Sequence, residues 1–427
     1  MAPMPDPEPD PAARRSLVGL LGPGLVTGAA DDDPSGIGTY SQVGAQFGYQ
    51  LAWTMLFSYP LLVAIQAICA RIGAVTGKGI AANLRAHYPR PVLQLAVLLL
   101  IVANVINLGA DIGAMAEALG LLIPGPLLLY TFLFGALSVG LEIGLSYDRY
   151  AGVLKWTTVS LLSYVGVVIV SHVPAGEALT GVFVPTFSLD KPHAMGLVAI
   201  LGTTISPYLF FWEASQEVEE LHRRRGQPLR LHRPGSGARA ALRRITADNL
   251  VGMAYSQVIA IVIIAATAAT LHAHGLTQIT SAAQAAQALR PIAGTFSFVL
   301  FAIGIIGIGL LAVPVLAGSV AYAVSETFGW SEGLDRPAND ARSFYATIAL
   351  ATFGGFLLNL LGIDAMVALY WAAVVNGLLA APLMALTMLV ARNPRIMGRL
   401  TIPPLLMIGG WAGTAVMAVV GALFLVS

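Results

Sequence analysis

Charge is what this chain has least of. Asp, Glu, Lys and Arg make up 11% of its 427 residues while 57% are hydrophobic, and mean hydropathy is +0.77. Soluble domains carry roughly 25% charged residues, so the shortage excludes a soluble globular fold and leaves a polytopic membrane protein. Cysteine is nearly absent. The single Cys69 allows no disulfide within the chain, and its apolar surroundings read as a buried, inert thiol. Neither a Ser/His dyad nor a His-Glu-x-x-His helix is present, which argues against an intramembrane enzyme. The basic residues form no single patch, so nothing in the net charge of +1 points to nucleic acid. No small-residue cleavage site precedes a polar region, and a cleaved signal peptide is not expected.

What the chain has in abundance is long apolar runs. At about 20 residues per crossing they divide into eleven spans, near 17–44, 49–71, 92–118, 123–142, 151–171, 193–220, 246–271, 296–325, 343–361, 365–391 and 402–425. Cytoplasmic loops hold the positive residues. With the N-terminus inside, every one of the 23 Lys and Arg except Lys191 and Arg290 falls on the cytoplasmic side. The expected topology is therefore N-terminus cytoplasmic and C-terminus outside, in a lipid bilayer that is a bacterial inner (plasma) membrane. Residues 1–16 form a proline-rich, disordered cytoplasmic tail, 17–171 a first five-helix unit and 172–192 an extracellular loop. Span 6 (193–220) opens a second unit, 221–245 is a basic cytoplasmic loop, 246–391 completes the unit, and 402–425 is an additional helix.

Two prolines interrupt spans that otherwise run apolar. In Ala30-Asp31-Asp32-Asp33-Pro34-Ser35-Gly36, Pro34 cannot bond the Ala30 carbonyl and pushes Asp33 out of the α region. In Thr203-Thr204-Ile205-Ser206-Pro207, Pro207 does the same for the Thr203 carbonyl. Charge at membrane depth is costly and marks a functional site. Corresponding broken helices in two halves point to a transporter site at the midplane. Because each unit has five spans, the second enters from the opposite side, and the fold class expected is an all-α membrane protein built on an inverted repeat.

Gly22-Pro23-Gly24-Leu25-Val26, Asp33-Pro34, Gly44-Ala45-Gln46-Phe47-Gly48-Tyr49 and Ala70-Arg71-Ile72-Gly73-Ala74-Val75-Thr76-Gly77-Lys78, in that order, resemble the natural-resistance-associated macrophage protein (NRAMP) family of proton-coupled divalent metal transporters. The resemblance is dense over the first 90 residues and weaker beyond, where it includes Asp111 and the proline break of span 6. It implies a LeuT-type fold, two inverted five-helix repeats plus an eleventh helix, with helices 1 and 6 unwound around a manganese or iron ion. The family site uses the Asp and Asn of an Asp-Pro-Gly-Asn motif, an Ala carbonyl before it, and a Met and an Ala carbonyl around Met-Pro-His. Here the Ala30 carbonyl, the Asp33 carboxylate and the Thr203 carbonyl are in place. Gly36 stands for the Asn, Ser206 for the Met, Tyr208 and Glu213 for two family histidines, and Ala114 for a Glu, with Glu117 nearby.

Loss of the soft thioether, with Asp31 and Asp32 added beside Asp33, favours a hard cation, because carboxylates, hydroxyls and carbonyls suit Mg2+, Ca2+ and Mn2+. The expected ligand set is Asp33, Ala30, Thr203 and Ser206, with Asp31 either facing the cavity or pairing with another polar residue. Consecutive helical residues are turned about 100° apart, so three aspartates cannot line one site and Asp32 reads as structural. Ser206 has the alternative of bonding its own helix. Pro34, Gly36 and Pro207 are the breakers. Asp111, Glu117 and Glu213 are the candidate proton path, with a bond between Asp111 and Arg342 as the alternative for that acid, while Glu217, Glu219 and Glu220 are expected in solvent. Asn104, Asn107, Asn249, Gln257 and Asn376 read as bonds between helices. The function expected is alternating-access transport of a divalent metal ion, Mg2+ or Mn2+, as substrate, with no cofactor and with protons as the coupling partner. The alternative is a same-fold symporter of a small organic solute.

Overall fold

The computed structural model describes residues 27–28, 30–144, 161–171, 173–188, 190–223, 227–229 and 237–426, and within them regular structure is helical throughout. The principal helices are α1 (Pro34–Phe47), α2 (Trp53–Thr76), α3 (Ile80–His87), α4 (Arg90–Gly120), α5 (Leu127–Gly144), α6 (Leu162–Val170) and α7 (Ala175–Phe183). The second half supplies α8 (Lys191–Thr204), α9 (Pro207–Arg223), α10 (Ala238–Thr270), α11 (Ser297–Phe328), α12 (Arg342–Leu358), α13 (Ala365–Arg392) and α14 (Pro404–Val426). Nine helical stretches among the described residues are long and apolar enough to cross a bilayer, with α8 and α9 forming one of them across the Pro207 break. These correspond to all the expected spans except 1 and 5, of which the described residues include only part. Residues 1–26, with the expected tail and the start of span 1, lie outside the description, as do 145–160 at the start of span 5 and most of the basic loop.

Burial sorts the helices into a centre and a rim. Every residue of α1 except Gln46 is buried, as are most of α8 and α9. By contrast α5 and α14 each turn only five residues inward and present Leu128, Phe132, Leu405 and Val419 outward, the pattern of helices facing lipid. Helix α1 packs on α10 and α13, α8 on α13, and α4 on α11, α12 and α13, so both broken spans lie in the middle of the bundle. A Cβ on Gly202 would collide with the backbone of Ala373 and Gly377, and only glycine there lets α8 and α13 meet backbone to backbone.

Two boundaries differ from expectation. Helix α10 begins at Ala238 and takes in Arg239, Arg243 and Arg244 from the expected loop, because no breaker follows Gly237, whose φ of +43° starts the helix. Helix α3 was not expected; its N-terminus is held by Glu326, which accepts the Ala82 N–H at 2.9 Å.

Candidate functional site

Both breaks occur where the prolines put them. Residues 30 and 31 are helical, Asp33 is extended (φ −60°, ψ 171°), and α1 starts again at Pro34. Asp33 caps the new helix: its Oδ1 accepts the Gly36 N–H at 2.7 Å and the Ser35 hydroxyl at 2.6 Å. Its Oδ2 accepts from Asn107 Nδ2 on α4 at 3.0 Å and from the Tyr208 hydroxyl on α9 at 3.1 Å. That hydroxyl also lies 3.3 Å from the Ala30 carbonyl oxygen, so one tyrosine touches two members of the expected ligand set. The carboxylate is 1% exposed and faces donors from α4 and α9 as well as its own helix.

The second break falls at Ile205 (φ −108°, ψ 63°), between α8 and Pro207. The Ser206 hydroxyl donates back to Gly202 O at 2.9 Å and to Thr203 O at 2.7 Å, so it satisfies the carbonyl that Pro207 leaves without a backbone donor. The two breaks adjoin. Ser35 Oγ is 3.4 Å from Thr203 Oγ1, Tyr40 OH is 3.3 Å from Thr204 Oγ1, and a Cβ on Gly36 would stand 3.3 Å from Asp31 O and 3.5 Å from Thr203 Oγ1. Gly36 therefore supplies no side chain but keeps the gap between the two broken helices narrow. Asp33, the Ala30 carbonyl, Thr203 and Ser206 are thus brought to one buried place. Among the described residues no group of three His, Cys, Asp or Glu is arranged to hold a metal ion.

The other acids lie around this centre. Asp31 and Asp32 both accept from the Ser256 hydroxyl on α10, at 2.6 and 3.2 Å, so Asp31 pairs with a neighbouring helix. Asp111 is fully buried beside Asp33 and the Ser35 backbone N–H, and the expected alternative, a bond to Arg342, is absent because Arg342 opens α12 at the helix end while Asp111 sits deep in α4. Glu117 accepts the Ala365 N–H at 2.7 Å and so holds the start of α13. Glu213 accepts from Thr27 and from Asn249 Nδ2 (3.0 Å), joining α9 to the segment before the first break and to α10. Glu217 and Glu219 are buried, contrary to the expectation of solvent: Glu217 packs against Gly73 on α2, and the segment after α11 covers Glu219, which accepts from the Tyr322 hydroxyl and from Leu334 N–H at 2.7 Å.

A family model described as natural resistance-associated macrophage protein-like, Nramp, matches residues 24–427. The chain belongs to the Nramp family. Two relatives from Klebsiella pneumoniae carry the name divalent metal cation transporter MntH. One, from strain 342, is 27% identical over 417 residues, covering 95% of this chain and 93% of the relative. The other, from a second strain, is 30% identical over 321 residues, covering 72% and 73%. The solved Eremococcus coleocola manganese transporter, in complex with an aromatic bis-isothiourea substituted compound, superposes with a TM-score of 0.76 at 16% identity over 97% of this chain and 87% of its own. Mhp1 in its inward-facing conformation gives 0.56 at 15% identity over 95% and 91%. This Nramp protein has the LeuT-type fold, and among the described residues spans 1 and 6 are both broken. It is a membrane transporter and not an enzyme.

Tyr208, read only as standing in place of a family histidine, is a participant the sequence did not reveal, while Asn107 bonds between helices as expected, its amide reaching Asp33. The spacing of Asn104, Asn107 and Asp111, one polar residue per turn along α4, was the available signal.

Proposed function

We propose that this divalent metal cation transporter of the Nramp type carries a hard cation, Mg2+ or Mn2+, bound between the two helix breaks. Asp33 supplies the charge, and the Ala30 carbonyl, Thr203 and Ser206 supply neutral oxygens, directly or through water that the ion retains. The observation that carries this reading is Asp33 itself: a buried carboxylate at a broken helix, within hydrogen-bonding distance of α4 and α9, with no basic side chain bonded to it among the described residues. Hard oxygen ligands and the absent thioether favour these ions over Cd2+ and Fe2+.

Transport proceeds by alternating access, with the N-terminus cytoplasmic, the C-terminus outside and the protein in a bacterial inner membrane. Protons are the coupling ion, carried by Asp33 when it is empty and by Asp111, fully buried beside it. Mn2+ uptake into proteoliposomes tests the reading. The parent takes up the ion and Asp33→Ala does not; a variant transporting at the parent's rate overturns the site.

A further inference from the structure

One buried acid lies apart from the Asp33 site and has no role in it. Helix α5 faces lipid except for Thr131, Phe134, Gly135, Ser138 and Glu142. The polar members recur at intervals of seven and four, the spacing of one helix face. Glu142 is 4% exposed, and among the described residues neither of its carboxylate oxygens has a hydrogen-bond partner. Ser138 Oγ, one turn before it, and Thr352 Oγ1 on α12 are likewise unpartnered, and the Thr352 methyl carbon lies 3.6 Å from where a Cβ on Gly135 would stand.

The helices packed on α5 are α4, α11 and α12. From α12, Tyr345 stands in the field of Glu142 and donates its hydroxyl to Arg336 O at 3.0 Å and Leu334 O at 3.4 Å. On α4, Asp111 faces Asp33 and Glu117 is bound to Ala365 N–H. On α11, Tyr322 donates to Glu219, and Glu326 accepts from Ala82 N–H. No Lys, Arg or His forms an ion pair with Glu142 among the described residues, Arg342 and Arg90 on the packed helices included.

An ionised carboxylate with neither donor nor counter-ion costs several kcal/mol in a low-dielectric interior. Leucine would spare a lipid-facing helix that cost, so Glu142 has to hold a cation. We propose that the cation is a proton, and that Glu142 is a proton-binding site separate from the Asp33 centre. One carboxylate oxygen takes the proton from hydronium and releases water. The Tyr345 end of the site is the one the proposed topology places toward the cytoplasm. Leu334, which accepts from Tyr345, donates its N–H to Glu219 on α9, the half-helix that starts at Pro207. The site is thereby tied to one of the two broken spans.

Dicyclohexylcarbodiimide, an apolar reagent that adds to protonated carboxylic acids, reads the site without any transport. The full-length protein in vesicles should be labelled on the peptide bearing Glu142, the label falling about tenfold per pH unit above its midpoint and unchanged by added Na+. Glu142→Gln, which keeps the shape, should lose the label, bind Mn2+ with the parent's affinity, and shift the pH profile of Mn2+ uptake while the part carried by Asp33 and Asp111 remains. Absence of label at Glu142 at every pH, protection by Na+ at constant pH, or the parent's pH profile in Glu142→Gln each overturns the proposal. The uptake arm rests on the transport reading and the label does not, so a parent that moves no Mn2+ fails that reading while the label still decides this one.

Discussion

Replacing Asp33 by Asn keeps the outline of the side chain and removes one charge, which makes it the sharpest probe of where a cation sits. The Ser35 and Gly36 donors both land on Oδ1, at 2.6 and 2.7 Å, and an amide oxygen takes that place with the helix cap intact, since Asn caps as well as Asp. On the other side, the new NH2 meets two donors, Asn107 Nδ2 and Tyr208 OH. Tyr208 still has the Ala30 carbonyl at 3.3 Å, and Asn107 can turn its amide over, so the cost to the fold is about 1 kcal/mol. The loss to a divalent ion is larger. At about 4 Å and an effective dielectric of about 20, one negative charge attracts a doubly charged ion with a gross energy of about 8 kcal/mol. Desolvation offsets most of it, and a hydrogen-bonded contact with a charged group nets about 1.5 to 3 kcal/mol. Mn2+ affinity should therefore weaken by about ten- to 150-fold. Calorimetric titration of Mn2+ into the purified parent and variant measures this, with thermal melting as the control on folding. An Asp33→Asn protein that melts like the parent and binds Mn2+ within about threefold of it refutes the placement of the ion on Asp33.

Ser206→Met removes two hydroxyl bonds to the backbone, so melting should drop while the preference for Cd2+ over Mg2+ rises about tenfold; an unchanged preference in a competition titration means position 206 does not face the ion. Glu213→Gln sets an NH2 group against one of the donors Thr27 and Asn249, and amide exchange over residues 27–31 should accelerate; equal exchange rates contradict the joint described for Glu213. Outside the membrane, burial, with the charges of Glu326 and Glu219 adding to it, raises the Glu332 carboxyl to about 9. A raised acid favours the folded loop below its unfolded value near 4.5 and loses that contribution as pH climbs through about 9. The packing of residues 329–341 should loosen from pH 7 to 9, beyond the intrinsic rise in exchange rate, and Glu332→Gln should abolish the change; equal pH dependence in both proteins contradicts it.

The breaks were legible because proline acts locally: Pro34 and Pro207 each remove a donor that the helix needs, whatever surrounds them. Asp33 was legible for a related reason, as an acid before proline is forced out of the helix and becomes its cap. The partners of Asp33 were not, since Asn107 and Tyr208 lie 74 and 175 residues away and meet it only through the crossing of three helices. Periodicity says which face of a helix is polar; it does not say which face lies opposite. The same limit explains Ser256, which claims Asp31 and Asp32 from 225 and 224 residues away. Glu219 was misplaced because charge at a helix end reads as solvated until a later segment, here the one containing Leu334, is seen to cover it, and Glu217 because the facing helix at Gly73 is not visible in the sequence.

Uptake by proteoliposomes of the purified parent, measured side by side for Mg2+, Ca2+, Mn2+ and Cd2+ with and without a pH gradient, tests the claim of a hard-cation site at the two breaks most directly. Entry of Mg2+ or Mn2+ ahead of Cd2+ is the predicted result. Entry of Cd2+ ahead of both, or of no divalent ion at all, contradicts it.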